Sequence, residues 1–362
     1  MNRRPLIPGI IAGLIAMGIS SFDFSFWSAA GVGFLVFIFF AYLVKLGKTV
    51  PILELMLLIS SLQWVFGAHQ SYLFHYQHYK YHMYVGRDEY MSIVVPGLLA
   101  FALGISLLYP KYNFDRVNMA LERFTFKYRN VPVYLIVIGV VFPLFRAFAP
   151  PTLSFILFLF GNFKFIGAVL LLFQPHSARK WWATTLLITL TLLGSIQSGM
   201  FHDLLLWLAL MFSFIVYRMQ FSLFFRFALV LVGFLFVFLI QSVKGEFREM
   251  AKESIITGKT RNEIFFELVS NRTGRLDELL SDEKYLSEMN VRLNQGWIIS
   301  AIIRNVPARE PYAEGETIIE AFRASLIPRF LEPEKKMAGG QENFRRFTGL
   351  ELGEKTSMGT SV

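Results

Sequence analysis

The 362-residue chain contains no cysteine. This absence excludes disulfide bonds, thiolate catalysis and cysteine-ligated metal sites, and it leaves the redox state of the compartment open. Charged residues are also scarce, at 17% of the chain, where a soluble protein carries about a quarter. Nucleotide-binding glycine loops, the H-E-x-x-H zinc motif and the G-x-S-x-G serine motif do not occur. The sequence therefore gives no support to ATP-driven transport or to zinc or serine proteolysis.

Hydrophobic residues make up 54% of the chain, and the charge around them is uneven. Residues 1–243 hold 17 Lys/Arg and 7 Asp/Glu, whereas residues 244–362 hold 18 and 19, so the net charge of +9 belongs to the first part. The basic residues of that part lie in short gaps between apolar runs. This pattern indicates membrane topology and not a nucleic-acid-binding surface. We predict a transmembrane bundle over residues 1–243, an extracytoplasmic segment over residues 244–362, and no nucleic-acid partner.

A membrane-crossing helix needs about 20 mostly apolar residues. The predicted fold class is therefore all-α, a polytopic bundle of about nine transmembrane helices. The first of them follows Arg3 and Arg4 and is interpreted as a retained span or signal anchor. The predicted spans are approximately 6–21, 28–46, 50–67, 91–109, 131–149, 152–173, 183–200, 203–217 and 222–243.

The orientation follows from the distribution of positive charge. Thirteen Lys/Arg of residues 1–243 lie on one side of the predicted spans, and only Lys80, Arg87 and Arg146 lie on the other. The richer side, which includes the N-terminus, is predicted to be cytoplasmic. An odd number of spans then places residues 244–362 outside the cytoplasm.

The outer segment is predicted to contain helices over 261–270 and 316–327, where apolar residues recur at helical spacing. The apolar stretch 297–303 is too short to cross a bilayer, and we expect it to pack on or dip into the membrane surface. The Tyr- and His-rich stretch 69–84 is interpreted as an interfacial belt. His75, His78 and His82 within it could also bind a metal, although the belt is the favoured interpretation.

Arginines of the outer segment are the main candidates for ligand binding, because arginine grips phosphate bidentately and keeps its charge. They are Arg272, Arg275, Arg292, Arg304, Arg309, Arg323 and Arg329, and a lipid-linked pyrophosphate at the membrane surface would need such groups. The alternative is that these arginines are solvated partners of nearby acids. Among those acids Glu310, Glu314 and Glu316 closely follow Arg304, and each is a candidate general base.

Two further candidates lie in the transmembrane part. Lys164 lies in the middle of a predicted span, where a charge is costly and usually faces a cavity or a partner. We therefore include it as a candidate substrate-binding residue. His202, followed by Asp203 at an outer membrane edge, could serve as a base with an orienting carboxylate. No metal site or cofactor is expected.

Several short motifs near the C-terminus occur together in the same order as in one family. The motifs are Gly315-Glu316-Thr317, Ile327-Pro328-Arg329-Phe330-Leu331-Glu332-Pro333-Glu334-Lys335-Lys336, Phe344, Phe347-Thr348-Gly349 and Lys355-Thr356-Ser357. With these motifs, this part of the chain resembles the outer loop of bacterial oligosaccharide repeat-unit polymerases, the Wzy-like O-antigen and exopolysaccharide polymerases. The resemblance covers about 60 residues, and the rest of the chain matches in hydropathy and topology only.

The resemblance implies a metal-independent glycosyltransferase with a GT-C-like bundle in the bacterial inner membrane. Its substrate would be an undecaprenyl-pyrophosphate-linked oligosaccharide in the membrane lipid, and its outer segment would be periplasmic. By the same resemblance Arg304 and Arg329, with Arg292 less firmly, would bind the leaving pyrophosphate. Glu316, with His202 as the second choice, would be the base for the acceptor hydroxyl. The chain-length regulator and the flippase of the same pathway would be candidate partners. Family members continue beyond the Thr-Ser motif, so the resemblance also implies that this chain is C-terminally truncated.

Two alternatives stay open from the sequence. An O-antigen ligase, or another lipid-linked glycosyltransferase, would use the same donor on the same side of the membrane. A non-enzymatic transporter or assembly partner of polysaccharide export would also fit the hydropathy. Transporters tend to contain internal repeats and paired broken spans, which the sequence does not show clearly.

Overall fold

The computed structural model describes residues 7–108, 114–174, 179–198, 201–252, 259–275, 281–327 and 340–351. Within these ranges regular structure is helical and no β-strand forms, which confirms the predicted all-α class. In chain order the helices are α1 (Ile7–Ser20), α2 (Phe26–Lys45), α3 (Ile52–Leu73), α4 (Arg87–Leu108), α5 (Phe114–Lys127), α6 (Val131–Val141), α7 (Pro151–Gly161), α8 (Phe163–Leu172), α9 (Arg179–Ser198), α10 (His202–Met219), α11 (Leu223–Lys252), α12 (Arg261–Thr273), α13 (Glu283–Leu293), α14 (Gly296–Asn305), α15 (Glu316–Leu326) and α16 (Gly340–Thr348).

Four of these helices, α2, α3, α4 and α11, are long and apolar enough to cross a membrane. Helix α5 and the segment Val131–Arg146 meet the same criteria together, but they are bent by 85° and make a fifth span only if the bent pair is one span. The other apolar segments form shorter helices: Ile7–Ser20, Ile156–Leu172, Trp181–Gln197 and Leu204–Met219. Each predicted apolar segment is therefore helical where the structure describes it, while the count of nine spans stays a prediction.

The helices differ from the predicted segments mainly where the chain is polar. Helix α3 continues to Leu73, beyond the predicted end at residue 67, and α11 continues to Lys252, beyond residue 243. Helices α5, α13 and α16 have no counterpart in the predicted elements. Their sequences are rich in charged residues, and only one narrow face of each is apolar. Such helices depend on packing partners that a hydropathy profile does not contain.

The chain divides into two compact units, and each unit combines residues from 1–243 with residues from 244–362. The first unit comprises Met1–Gly9, Ile38–Met56 and Ile105–Glu278. The second comprises Ile10–Phe37, Leu57–Gly104 and Leu279–Val362.

In the first unit, close helix contact at glycine and aromatic clustering form the core. Helix α6 packs against α8 so closely that a Cβ on Gly139 would lie 2.2 Å from the backbone nitrogen of Lys164. Small residues permit this kind of approach between apolar helices. Further along the chain, α11 packs against α12 through the buried rings of Phe247 and Phe265, with Phe201 stacked on Phe265 at 5.5 Å.

In the second unit, α3 and α4 share a core that includes Val65, Met91 and Val95. Residues Leu62–Phe66 of α3 form a π-helical turn. A π turn shifts the hydrogen-bond register and leaves carbonyl groups open to other partners. Here the Trp64 carbonyl accepts a 2.8 Å hydrogen bond from the Tyr90 hydroxyl, which ties α3 to α4.

Helices α13 and α14 dock at the same π turn. The Gln295 amide donates to the Gln63 carbonyl at 3.2 Å, and the Asn290 side chain donates to the Gly67 carbonyl at 2.8 Å. Asn294 adds a 2.8 Å bond to the hydroxyl of Ser71. The C-terminal half of α3 is therefore hydrogen-bonded to α13 and to the start of α14.

The stretch 297–303, which we expect to pack on or dip into the membrane surface, belongs to α14. Its Trp297, Ser300 and Ala301 are buried. Trp297 lies against Tyr81 and Phe344, with ring centroids 5.0 and 6.2 Å away. Protein packing therefore covers part of the apolar side of α14, and its placement at the membrane surface stays a prediction.

Candidate functional site

The guanidinium group of Arg304 lies on the ring of Tyr84 at the end of α14, with its carbon 4.1 Å from the ring centroid. Tyr84 is held in place by its own bonds, because its amide donates to the Ser300 hydroxyl at 3.1 Å and its hydroxyl donates to the Lys80 carbonyl at 2.7 Å. A cation over the face of a fixed aromatic ring is attracted by the ring quadrupole. The direction of the Arg304 side chain is therefore set by the protein even though the residue is exposed.

The electrostatic surroundings of Arg304 leave its charge available. Within the part of the chain that the structure describes, no carboxylate forms an ion pair with this guanidinium. Burial raises the pKa of the Tyr84 hydroxyl, and the Arg304 cation opposes part of that rise. Tyr84 therefore stays neutral beside the guanidinium of Arg304.

A second charged cluster forms around Arg346 on α16. Its Nε donates to a carboxylate oxygen of Glu310, and its Nη1 donates to Glu316 at 3.5 Å. The hydrogen bond to Glu310 is the main reason why the pKa of Arg346 is raised, with further contributions from Glu316. Two carboxylates thus share one cation, and the contact with Glu316 is the longer and looser of the two.

Asn305 connects the end of α14, which carries Arg304, to α16, which carries Arg346. Its buried side-chain amide donates to the backbone carbonyls of Arg346 and Phe347, both at 3.1 Å. These carbonyls belong to the last turn of α16, where helical partners are lacking. Because Asn305 directly follows Arg304, the bond brings the Arg346 backbone next to the end of α14.

Of the predicted site residues, Arg304 and Glu316 are therefore brought to one region of the second unit. Arg292 is exposed in the last turn of α13. Arg292 precedes α14, whereas Arg304 lies near the far end of that helix, which is about 15 Å long. Glu314 is exposed in the turn before α15 and has a left-handed backbone, with φ of 47°. Arg329 lies outside the described residues.

The two transmembrane candidates, Lys164 and His202, belong to the first unit. Lys164 is at the start of α8, and its Nζ lies 5.1 Å from the ring centroid of Phe165. His202 is the first residue of α10, and its side chain is outside what the structure describes. The roles assigned to both residues from the sequence stay predictions.

In the Tyr- and His-rich stretch 69–84, His78 makes local contacts, whereas His75 contacts Glu283 on α13. The Nδ1 atom of His78 accepts bonds from the backbone amides of Lys80 and Tyr81, at 3.1 and 3.2 Å. Its ring stacks on Tyr79 and Tyr81 with centroids 4.7 and 4.6 Å away. Over the described ranges, no group of three His, Cys, Asp or Glu side chains could hold a metal ion.

The sequence did not single out three residues of this region: Tyr84, Asn305 and Arg346. The only signal for Arg346 is its position on a short helix whose Phe344 and Phe347 form the apolar side. Tyr84 is one of many tyrosines in its stretch, and nothing in the sequence distinguishes it from the others.

Taken together, the region offers an exposed arginine, Arg304, that has no carboxylate partner among the described residues, and a carboxylate, Glu316, that is only loosely held by Arg346. An anion could bind the arginine, and the carboxylate could accept a proton from a hydroxyl group. No protein-family model, no curated protein and no solved structure matches this chain.

Proposed function

We propose that this protein is a glycosyltransferase that polymerises undecaprenyl-pyrophosphate-linked oligosaccharide repeat units. Its apolar helices would form a GT-C-like bundle of about nine spans in the bacterial inner membrane, with residues 244–362 on the periplasmic side. The reaction needs no nucleotide or metal, because the lipid-linked pyrophosphate is itself an activated leaving group. A growing glycan on one lipid would be moved to a sugar hydroxyl on the next.

The observation that carries the proposal is the exposure and fixed orientation of the Arg304 guanidinium. Its guanidinium is exposed, is oriented by Tyr84 and has no carboxylate partner in the described part of the chain. Arg346, by contrast, is paired with the carboxylates of Glu310 and Glu316. A fixed and uncompensated guanidinium suits a pyrophosphate oxygen and can stabilise the charge that grows as the pyrophosphate leaves.

Glu316 is the candidate base in the same region. Its side chain is 55% exposed, against 24% for Glu310, and it has the weaker contact with Arg346. The acceptor hydroxyl oxygen would bond to the anomeric carbon of the donor, the bond from that carbon to pyrophosphate would break, and Glu316 would take the hydroxyl proton.

The proposal is tested with Arg304→Ala in the intact protein, expressed in a host strain from which the gene has been deleted. Loss of this cation should lower the yield of long glycan by about 10²–10³-fold, as when one charge-stabilising donor is removed. Lipid-linked single repeat units should accumulate. Arg309→Ala is the matched control, because Arg309 is an exposed arginine in the following turn and no role is assigned to it.

Equal glycan ladders from the wild type, Arg304→Ala and Glu316→Gln would refute the site. Normal long glycan in the deletion strain itself would refute the function. In that strain, loss of glycan on the lipid A core, with polymer still present on undecaprenyl pyrophosphate, would point to a ligase instead.

A further inference from the structure

Helix α15 exposes an apolar face to the outside of the second unit. Ile318, Ile319, Phe322 and Leu326 are 59%, 69%, 65% and 76% exposed. Their spacing places all four on one side of the helix. Single exposed apolar residues are ordinary at a protein surface, but four large ones in a continuous row mark an interaction surface.

The other two sides of α15 are a buried side and a charged side. Thr317 is buried against the protein, and Glu316 reaches Arg346. Glu320 and Arg323 lie between the buried and the apolar sides, on the side that also carries Glu316. The helix therefore presents three distinct faces: one toward the protein, one charged and one apolar and uncovered.

The position of α15 in the second unit indicates what covers the apolar face. Helices α13 and α14 dock on the last turns of α3 and beside Tyr90 in the first turn of α4. Both α3 and α4 are apolar enough to cross a membrane, and α4 exposes Ile93, Leu103 and Leu107. The outer helices are thus attached directly where two membrane-crossing helices end. The chain reaches α15 only ten residues after the end of α14.

We infer that α15 lies flat in the boundary between the headgroups and the acyl chains of the membrane that α3 and α4 cross. With 11 residues the helix is too short to span a bilayer, but its separated apolar and charged faces suit a position in the plane of the interface. The four apolar side chains enter the lipid, and the charged side faces water. This surface is independent of the glycosyltransferase proposal. One consequence is that Glu316, the first residue of α15, is held at the height of the lipid headgroups.

The natural absence of cysteine permits a direct test, because any introduced cysteine is unique. The intact protein carrying Phe322→Cys is labelled with a nitroxide and reconstituted into vesicles of phosphatidylethanolamine and phosphatidylglycerol. Collision with oxygen, which concentrates in lipid, is compared with collision with a water-soluble nickel chelate. Ile319→Cys serves as a second apolar-face site, and Arg323→Cys is the control on the charged face.

The labels at residues 319 and 322 should favour oxygen over the nickel chelate, and the label at residue 323 should show the opposite preference. Preference for the nickel chelate at all three sites would overturn the inference. Shielding of residues 319 and 322 from both reagents would also overturn it, because protein from this chain or from a second copy would then cover the face. A bimane fluorophore at residue 319 should in addition be quenched by brominated lipid, and its failure to be quenched would contradict the proposal.

Discussion

The side-chain amide of Asn305 donates to the backbone carbonyl of Arg346 at 3.1 Å, and to that of Phe347 at the same distance. One buried side chain therefore closes the last turn of α16 and attaches it to the end of α14. The residue makes no contact with the charged ends of the arginines, but it determines where the backbone of Arg346 lies.

Asn305→Ala should destabilise the protein by about 2–4 kcal/mol, because it removes two buried hydrogen bonds and leaves two carbonyls without partners. The change can be measured as a lower midpoint of thermal unfolding in detergent, together with faster proteolysis of α16. Asn305→Asp should be at least as damaging, since a carboxylate cannot donate to a carbonyl. Wild-type stability of the Asp variant would show that the amide is not a donor to these groups.

Tyr84 and Arg304 should be energetically coupled through the aromatic ring and not through the hydroxyl. A double-mutant cycle with Tyr84→Leu and Arg304→Ala should give a coupling of about 0.5–1 kcal/mol in the free energy of unfolding, as expected for an exposed cation over a ring. A second cycle, with Tyr84→Phe in place of Tyr84→Leu, tests where the coupling resides. Because Tyr84→Phe removes only the hydroxyl and keeps the ring, this second cycle should give a coupling near zero. A coupling in the second cycle as large as in the first would assign the interaction to the hydroxyl and contradict the ring contact.

Gly296 permits the approach of α14 to α4. A Cβ at this position would lie 2.1 Å from the hydroxyl oxygen of Tyr90, a fully buried residue. Gly296→Ala should therefore destabilise the docking of α14 by about 1–3 kcal/mol, measured by thermal unfolding in detergent. Tyr90→Phe in the same protein should recover part of that loss by removing the overlapping oxygen.

Gly97→Ala is the matched control for this prediction. Gly97 lies in the same helix as Tyr90, and a Cβ there would meet nothing within 4 Å. Its substitution should leave the unfolding midpoint unchanged or slightly raised. Equal destabilisation by Gly97→Ala and Gly296→Ala would contradict the steric explanation.

His78 should make the stability of the second unit depend on pH. Burial lowers the pKa of His78, while Glu288 raises it in part and His82 lowers it further. The Nδ1 atom also accepts two backbone hydrogen bonds, which a proton on that atom would break. Because the folded pKa is below the unfolded value of about 6.5, the contribution is present above about pH 6.5 and is lost as the pH falls below it.

The thermal midpoint in detergent should therefore drop between about pH 7.5 and pH 5.5 in the wild type, and drop less in His78→Asn. The control is His75→Asn, because the His75 side chain is 94% exposed and an exposed ion pair such as the one it makes with Glu283 contributes little to stability. An identical drop in wild type and His78→Asn would assign the pH dependence to other groups.

The apolar helices could be predicted from the sequence because the length of an apolar run can be read from consecutive residues. The long run of α11 and the helical spacing of α15 are both visible in the residues themselves. The docking of α14 could not be predicted. An apolar stretch of this length suits a membrane surface or a protein surface equally well, and its partners Tyr81 and Phe344 are distant in the chain.

The candidate site could likewise be predicted from the sequence only in part. An arginine with a possible phosphate role can be named from its type and side of the membrane, as Arg304 was. Whether its charge is available depends on which acids lie nearby in space. Arg346 draws Glu310 and Glu316 to itself. The tertiary fold therefore determines which of the two arginines is paired with the carboxylates, and the local sequence does not show it.

The bond between Asn305 and Arg346 has a consequence for how this protein can change. The chain departs at residue 305 and returns to the same point at residue 346. The described turn 306–315 follows a fixed point at the end of α14, so insertions or deletions in that turn need not displace α14. The entropic cost of a longer loop rises only slowly with its length. The turn could thus change in length and sequence while the docking of α14 stays constant.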